Sequence, residues 1–351
     1  MQPLHPLITT SLLISLGLGT TLTFSSTHWL LAWMGLEINT LAILPLMTEK
    51  HYPRAVEATI KYFLVQATAA ALLLFASLTN AWLTGEWMIS HLSLPLPATL
   101  MMLALALKIG LAPMHFWLPE VLQGLNLTTG LILSTWQKLA PFALIVQVAP
   151  FTNPHLLVVL GLTSTIIGGW GGLNQTQLRK ILAYSSIAHL GWMIIIVHFT
   201  PHLTLLALSL YLAMTSAAFL TLKTYQCTTL NMLATSWTKM PLLAVMMTPV
   251  LLSLAGLPPL TGFLPKWLII NEMAKQGLSF LATIMALSAL LSLYYYLRIC
   301  YTTILTSSPN ISIKSAPWRL LPPLSPHLLP LTMIITIGAL PLSPTILTCF
   351  S

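Results

Sequence analysis

GLAPMHFWLPE, residues 110 to 120, closes an apolar run and sets two prolines, a glycine, a histidine and a glutamate just beyond Lys108. The chain returns to the same theme 146 residues later with GLPPLTGFLPK, residues 256 to 266, where Gly, Leu, Pro, Leu and Pro coincide at five of the eleven positions. Proline removes a backbone donor and clashes with the preceding turn, so each stretch has to unwind the helix that carries it. In lipid, unwound backbone is tolerated only where it faces protein or a water-filled cavity. A packing kink accounts for one such stretch, but two matched ones point to a built feature.

The setting of both stretches is apolar. Of 351 residues, 56% are hydrophobic and 6% charged, and the mean hydropathy is +0.87, outside the range of soluble globular chains. Runs of about 20 residues, enough to cross a hydrocarbon layer of ~30 Å as helices, recur throughout. Eleven spans are expected, at residues 3–22, 25–46, 55–80, 97–119, 126–148, 155–172, 176–197, 203–224, 240–272, 278–304 and 326–346. The first has no charged leader region and no small-residue cleavage site, so it reads as a retained helix.

The offset of 146 residues maps spans 1–5 onto spans 6–10. Five is an odd number, so the second copy must be inverted in the membrane. The expected fold is therefore all-α: one polytopic transmembrane domain, residues 1–351, of about eleven helices with two of them broken. Residues 1–150 form the first repeat, 151–305 the inverted second, and 306–351 a loop and the last helix. Interrupted segments at matching places of inverted halves point to an ion pathway.

A net charge of +8 invites a nucleic-acid reading, but the charges sort by loop. Lys50, Arg54, Arg179, Lys180, Lys223, Lys239, Lys314 and Arg319 fall on one side, with Arg298 near a span end, and Lys275 on the other. This is the positive-inside pattern, and it puts the N-terminus on the protein-synthesising side and the C-terminus opposite. Cys227, Cys300 and Cys349 are isolated, with no spacing for a disulfide framework or an iron–sulfur site. The absence of aspartate and of glycine-rich phosphate motifs argues against a nucleotide site. IIGGWGG, 166–172, reads as small residues that let helices approach closely.

Five charges lie inside spans: Glu37, Lys61, Lys108, Lys138 and Lys266. Lys108 and Lys138 are about 11 or 12 residues into theirs, near the bilayer centre at ~1.5 Å per residue. A lysine there costs at least ~2.5 kcal/mol on insertion scales, which makes it a functional candidate, or else a salt-bridge partner that only aids assembly. Glu37 and Lys61 sit at similar depths and are expected to pair. The other three lysines have no carboxylate at their own depth, and burial disfavours the charged amine. One unit charge ~10 Å away at an effective dielectric of ~20 contributes about 1.7 kcal/mol, so coupling along a row passes between neighbours. His115 and His189 are the two histidines placed to relay protons. His51, His91, His198 and His202 read as solvated loop residues.

Together GLEINTLAILPL (35–46), KYFLVQATAA (61–70), LKIGLAPMHFWLPEVLQG (107–124), LSTWQKLAPF (133–142), LRKILAYSSIAHLGW (178–192) and LAGLPPLTGFLPKW (254–267) resemble a known family over nearly the whole chain. It is the subunit 2 family of antiporter-like membrane subunits of mitochondrial NADH:ubiquinone oxidoreductase, respiratory complex I. The resemblance implies a proton channel in which Glu37 and Lys61 are the modulating pair. In it Lys108 is the lysine of the first broken helix, Lys138 the central bridging lysine, and Lys266 the lysine of the second broken helix, facing outward. It implies no redox cofactor in this chain, with NADH, FMN, iron–sulfur clusters and ubiquinone handled elsewhere in the complex. Implied partners are neighbouring antiporter-like subunits, accessory subunits and the lipids of the mitochondrial inner membrane, cardiolipin among them. The N-terminus is then in the matrix and the C-terminus in the intermembrane space. Longer bacterial relatives have fourteen helices, and this chain is expected to lack the first three. A stand-alone sodium/proton antiporter and a purely structural assembly subunit are the competing readings.

Overall fold

The computed structural model describes residues 5–49, 52–235, 241–305, 328–343 and 345. Lys50, His51, Lys239, Lys314, Arg319 and Cys349 lie outside the described residues. Among those described, the chain is helical without a strand; two isolated bridges, His28 with Met88 and Gln177 with Thr229, join loops.

The helices are α1 (Pro6–Ser25), α2 (Trp29–Met47), α3 (Pro53–Thr84), α4 (Pro95–Ile109), α5 (Trp117–Gly124), α6 (Leu127–Ser134), α7 (Trp136–Val148) and α8 (Pro154–Gly171). They continue with α9 (Leu178–Ile196), α10 (Pro201–Tyr225), α11 (Leu230–Ala234), α12 (Pro241–Ala255), α13 (Phe263–Lys275), α14 (Ser279–Leu305) and α15 (Leu328–Gly338). Proline opens α1, α3, α4, α8, α10 and α12, at the position where its missing N–H and preset φ do no harm. Among the described residues seven stretches are long and apolar enough to cross a membrane, six of them single helices and the seventh, Leu127–Phe151, made of α6, α7 and the short turn that follows, with an interruption at Thr135; three shorter apolar helices accompany them. The span expected at 97–119 is two pieces, α4 and α5, separated by residues 110–116, and that at 240–272 is α12 and α13, separated by 256–262.

Cα packing divides the chain into two units, residues 1–163 and 164–351. Within the first, α1 lies on α2, α3 runs along α4 and α5, and α4 packs on α7. Small residues set these distances. A Cβ on Gly19 would stand 2.9 Å from the Gly35 carbonyl oxygen, and one on Gly124 would stand 2.6 Å from that of Arg54. Within the second unit, α10 packs against α9, α12, α13 and α15, and α14 against α9, α11, α12 and α13. The glycine run behaves as expected: Gly168 lies on the backbone of Tyr184 and Ala188, Gly171 on the Tyr184 ring and Gly172 on the Tyr295 ring. Cys227 and Cys300 are buried in this unit, and neither forms a disulfide with a described residue.

Hydroxyl groups survive in these apolar helices because they bond back one turn. Thr23 donates to the Thr20 carbonyl at 2.7 Å and Ser253 to that of Val250 at 2.7 Å.

Candidate functional site

In the first unit, α4 ends at Gly110, which takes φ +85°, a left-handed conformation that favours glycine. Its N–H and that of Leu111 both donate to the Ala106 carbonyl, at 2.9 Å each, a helix-ending arrangement that reuses one carbonyl and leaves the next ones free. Side chains collect them. Trp117 Nε1 donates to the Leu107 carbonyl at 3.2 Å and Gln66 Nε2 to that of Lys108 at 3.2 Å. Thr163 Oγ1 reaches the Ala112 carbonyl at 3.3 Å. The unwound segment is therefore tied down on several sides.

Lys108 occupies the last turn of α4, where the negative end of the helix dipole favours a cation. It is 6% exposed, and its Nζ makes no hydrogen bond to the protein. Lys138, in the first turn of α7, is 3% exposed. The two lysines line one cavity of about 20 Å³, together with Asn39, Thr40, Tyr62, Gln66 and Gln137. That volume suits one water molecule. Asn39 is 2% exposed, and neither its Nδ2 nor its Oδ1 makes a hydrogen bond to the protein. Gln137 Nε2 donates to the Asn39 carbonyl at 3.1 Å, which fixes α7 against α2 at the cavity wall. A buried amide and a buried amine of this kind each call for a polar partner, and the cavity supplies room for one.

Glu37 is half-buried on α2; the Thr40 hydroxyl donates to its Oε2 at 3.1 Å. The expected Glu37–Lys61 pair does not form. Lys61 Nζ lies 2.7 Å from Glu57 Oε1 and 2.7 Å from Glu120 Oε2, and its side chain is 42% exposed. Depth along the helices matched, but the face did not. The buried stripe of α3 runs through Ala55, Ala58, Tyr62, Gln66 and Ala69, and Lys61 points away from it.

In the second unit, α12 ends at Gly256, with φ +84°. Its N–H donates to the Leu252 carbonyl at 3.1 Å and that of Leu257 to the same oxygen at 3.3 Å. Lys266 on α13 folds back over this turn, 8% exposed, and its Nζ donates to the Ala255 carbonyl at 2.7 Å. A Cβ on Gly256 would stand 2.9 Å from Lys266 Cδ and 3.0 Å from its Nζ. A Cβ on Gly262 would meet the Ser253 carbonyl oxygen. Thr261 Oγ1 donates to the Thr336 carbonyl at 2.7 Å and so ties the break to α15.

The two histidines occupy different surroundings. His115 is 3% exposed inside the first break, with Nδ1 3.2 Å from the Pro113 carbonyl oxygen and its ring 4.4 Å from that of Phe116. His189, half-buried on α9, lies 5.6 Å ring to ring from Tyr211. Of the remaining histidines, His91 pairs with Glu86 at 2.6 Å. Sequence reading missed Asn39, Gln66 and Gln137, although polar amides within apolar runs are themselves a signal.

The description "NADH:quinone oxidoreductase/Mrp antiporter, TM" matches residues 26–292, and "NADH dehydrogenase subunit 2 C-terminus" matches residues 293–347. The NADH-ubiquinone oxidoreductase chain 2 of Oncorhynchus mykiss is 67% identical over 343 residues, 98% of either chain. That of Salmo salar is 66% identical over 345 residues, 98% of this chain and 99% of the relative. A chain in the structure of respiratory complex I from Thermus thermophilus with bound aureothin superposes with a TM-score of 0.86. It is 29% identical, and the match covers 98% of this chain and 80% of that one.

Proposed function

Because this chain belongs to the NADH:quinone oxidoreductase/Mrp antiporter membrane family, and along its length to the NADH-ubiquinone oxidoreductase chain 2 branch of it, we propose that it is a proton-translocating core membrane subunit of respiratory complex I. It works in the mitochondrial inner membrane, N-terminus in the matrix and C-terminus in the intermembrane space. NADH oxidation and ubiquinone reduction take place in other subunits, with their own cofactors. Neighbouring antiporter-like and accessory subunits, and bilayer lipids including cardiolipin, cover its outer surface.

The observation that carries this reading is the pair Lys108 and Lys138, two buried amines around one cavity inside apolar helices. A buried amine is neutral or cationic at a cost set by its neighbours, so a charge arriving nearby changes which of the two holds a proton. Each transfer is balanced: one amine nitrogen takes up the proton that the other releases, through a hydrogen-bonded neighbour in the cavity. Glu37 is the carboxylate whose charge modulates the pair, since a unit charge is felt over several ångströms in a medium of low dielectric. Lys266, held on the carbonyl of the second break, is the corresponding carrier of the second unit, and His115 and His189 relay protons towards the carriers. Lys61, tied to two partly exposed carboxylates, acts from the edge as a fixed part of the field.

Lys108→Ala and Lys138→Ala in the assembled complex test the reading. Protons pumped per NADH should fall in both, with redox turnover slowed because pumping and electron transfer are coupled. Native stoichiometry and turnover in both variants would leave the buried lysines without a role in transport and favour a structural subunit.

A further inference from the structure

The second unit buries a run of hydroxyl groups that the lysines do not use. Tyr211 on α10, Tyr295 and Tyr296 on α14, and Ser185 and Ser186 on α9 are all 1% exposed or less. The two serines donate to the carbonyls of Leu182 and Ala183, at 2.8 and 2.7 Å, which leaves their oxygens as acceptors. The Tyr211 hydroxyl interacts with Ser186, and that of Tyr296 with Ser185 and with Tyr295. The Tyr295 and Tyr296 rings lie 4.6 Å apart. Neither of these two phenol oxygens completes a hydrogen bond of good geometry with the protein. Phenylalanine would fill the same space without that cost, so packing alone does not account for the oxygens.

The run also has a direction. Tyr295 lies one turn before Arg298, whose guanidinium donates to the carbonyls of Leu173 and Gln175 at the loop before α9. Its ring rests against Gly172 in the same loop. From the start of α9, Ser185 is ~10 Å along the axis and His189 ~16 Å, at ~1.5 Å per residue. Tyr211, which interacts with Ser186, is also the tyrosine whose ring faces His189. The hydroxyls therefore lead from the polar rim of Gln175 and Arg298 to His189 at mid-depth.

We propose that Tyr295, Tyr296, Ser185, Ser186 and Tyr211 form a proton-relay site that passes protons between the Gln175–Arg298 rim and His189. A hydroxyl is donor and acceptor at once. Ser185 and Ser186 first turn their O–H groups from the Leu182 and Ala183 carbonyls to the next oxygen, and each oxygen of the run then accepts a proton on a lone pair as it releases its own. One proton enters at Tyr295, one arrives on a ring nitrogen of His189, and the hydroxyls then reorient with their number of protons unchanged. The inference rests on the reading of this chain as a proton-translocating subunit.

The test uses the assembled complex, with Tyr296→Phe, Ser185→Ala and Ser185→Thr measured beside Lys138→Ala for protons pumped per NADH and for redox turnover. Tyr296→Phe and Ser185→Ala should lose the protons that this chain contributes, and Ser185→Thr, which keeps the hydroxyl, should retain them. Ser185→Ala removes a single oxygen and carries the test if Tyr296→Phe does not assemble. Native pumping in Tyr296→Phe and Ser185→Ala while Lys138→Ala is impaired overturns the relay alone. Native pumping in all of them overturns the relay and the transport reading together.

Discussion

The breaks after α4 and after α12 begin alike and end differently. Both helices close on a left-handed glycine, Gly110 or Gly256, and both reuse one carbonyl, that of Ala106 or Leu252, for two N–H groups. At the first break the freed carbonyls are taken by neutral donors, Gln66 and Trp117, and the lysine is left facing a cavity. At the second, the lysine itself takes the carbonyl of Ala255. An amine free of backbone duty can exchange a proton without disturbing the turn. One that holds a carbonyl couples its protonation to the shape of the break. The same backbone device thus presents a loosely held lysine in one unit and a clamped one in the other.

The largest effect should come from the tighter contact of the second break. Gly262→Ala forces a methyl onto the Ser253 carbonyl oxygen, a backbone atom that cannot swing aside, and should cost about 3 kcal/mol or more. Little assembled complex and a clearly lowered melting temperature would record it, and near-native assembly would show that the two backbones are not held together as described. Next, Lys266→Met leaves the Ala255 carbonyl without its donor and should lower stability by about 1–3 kcal/mol. Lys108→Met removes an amine with no bond to the protein, and its melting temperature should hold or rise. Both should lose pumping, and equal melting temperatures would remove the distinction between the clamped lysine and the loose one.

Smaller effects separate the two glycines. Alanine at either pays about 1–2 kcal/mol for the left-handed backbone. Gly256→Ala should exceed Gly110→Ala, because its methyl meets Cδ, Cε and Nζ of the lysine that caps the turn, whereas at Gly110 the tightest contact is the flexible end of Leu118, with the Trp117 ring farther off at 3.3 Å. Thermal melting of the two variants would rank them. The smallest effect is expected from Glu57→Gln, where an exposed ion pair with Lys61 is lost. Exposed pairs are screened by water and ions, so stability should not change measurably.

Much of this comparison was legible in the linear chain. Repeated glycine and proline at an offset of 146 residues located both breaks, because only glycine takes the left-handed turn without strain and proline cannot continue the ladder. Position within apolar runs marked Lys108, Lys138 and Lys266, all three of which are buried, since a charge there needs a reason to exist. Lys61 was misread because residue counting gives height in the membrane and not rotation about the helix. The small-residue stripe of α3 held the missing information, and it excluded Lys61 from the buried face.

The sequence by itself determined the class of the molecule, the places where its helices must break and the charges that lie within apolar runs, all consequences of local chemistry repeated against an apolar background. Only the tertiary structure decided which groups meet: Lys61 with Glu57 and Glu120, Lys108 with Lys138 and Asn39 around one cavity, Lys266 with Ala255. Those meetings depend on helix rotation and on packing distances of a few ångströms, and such distances are set by side chains far apart in the chain.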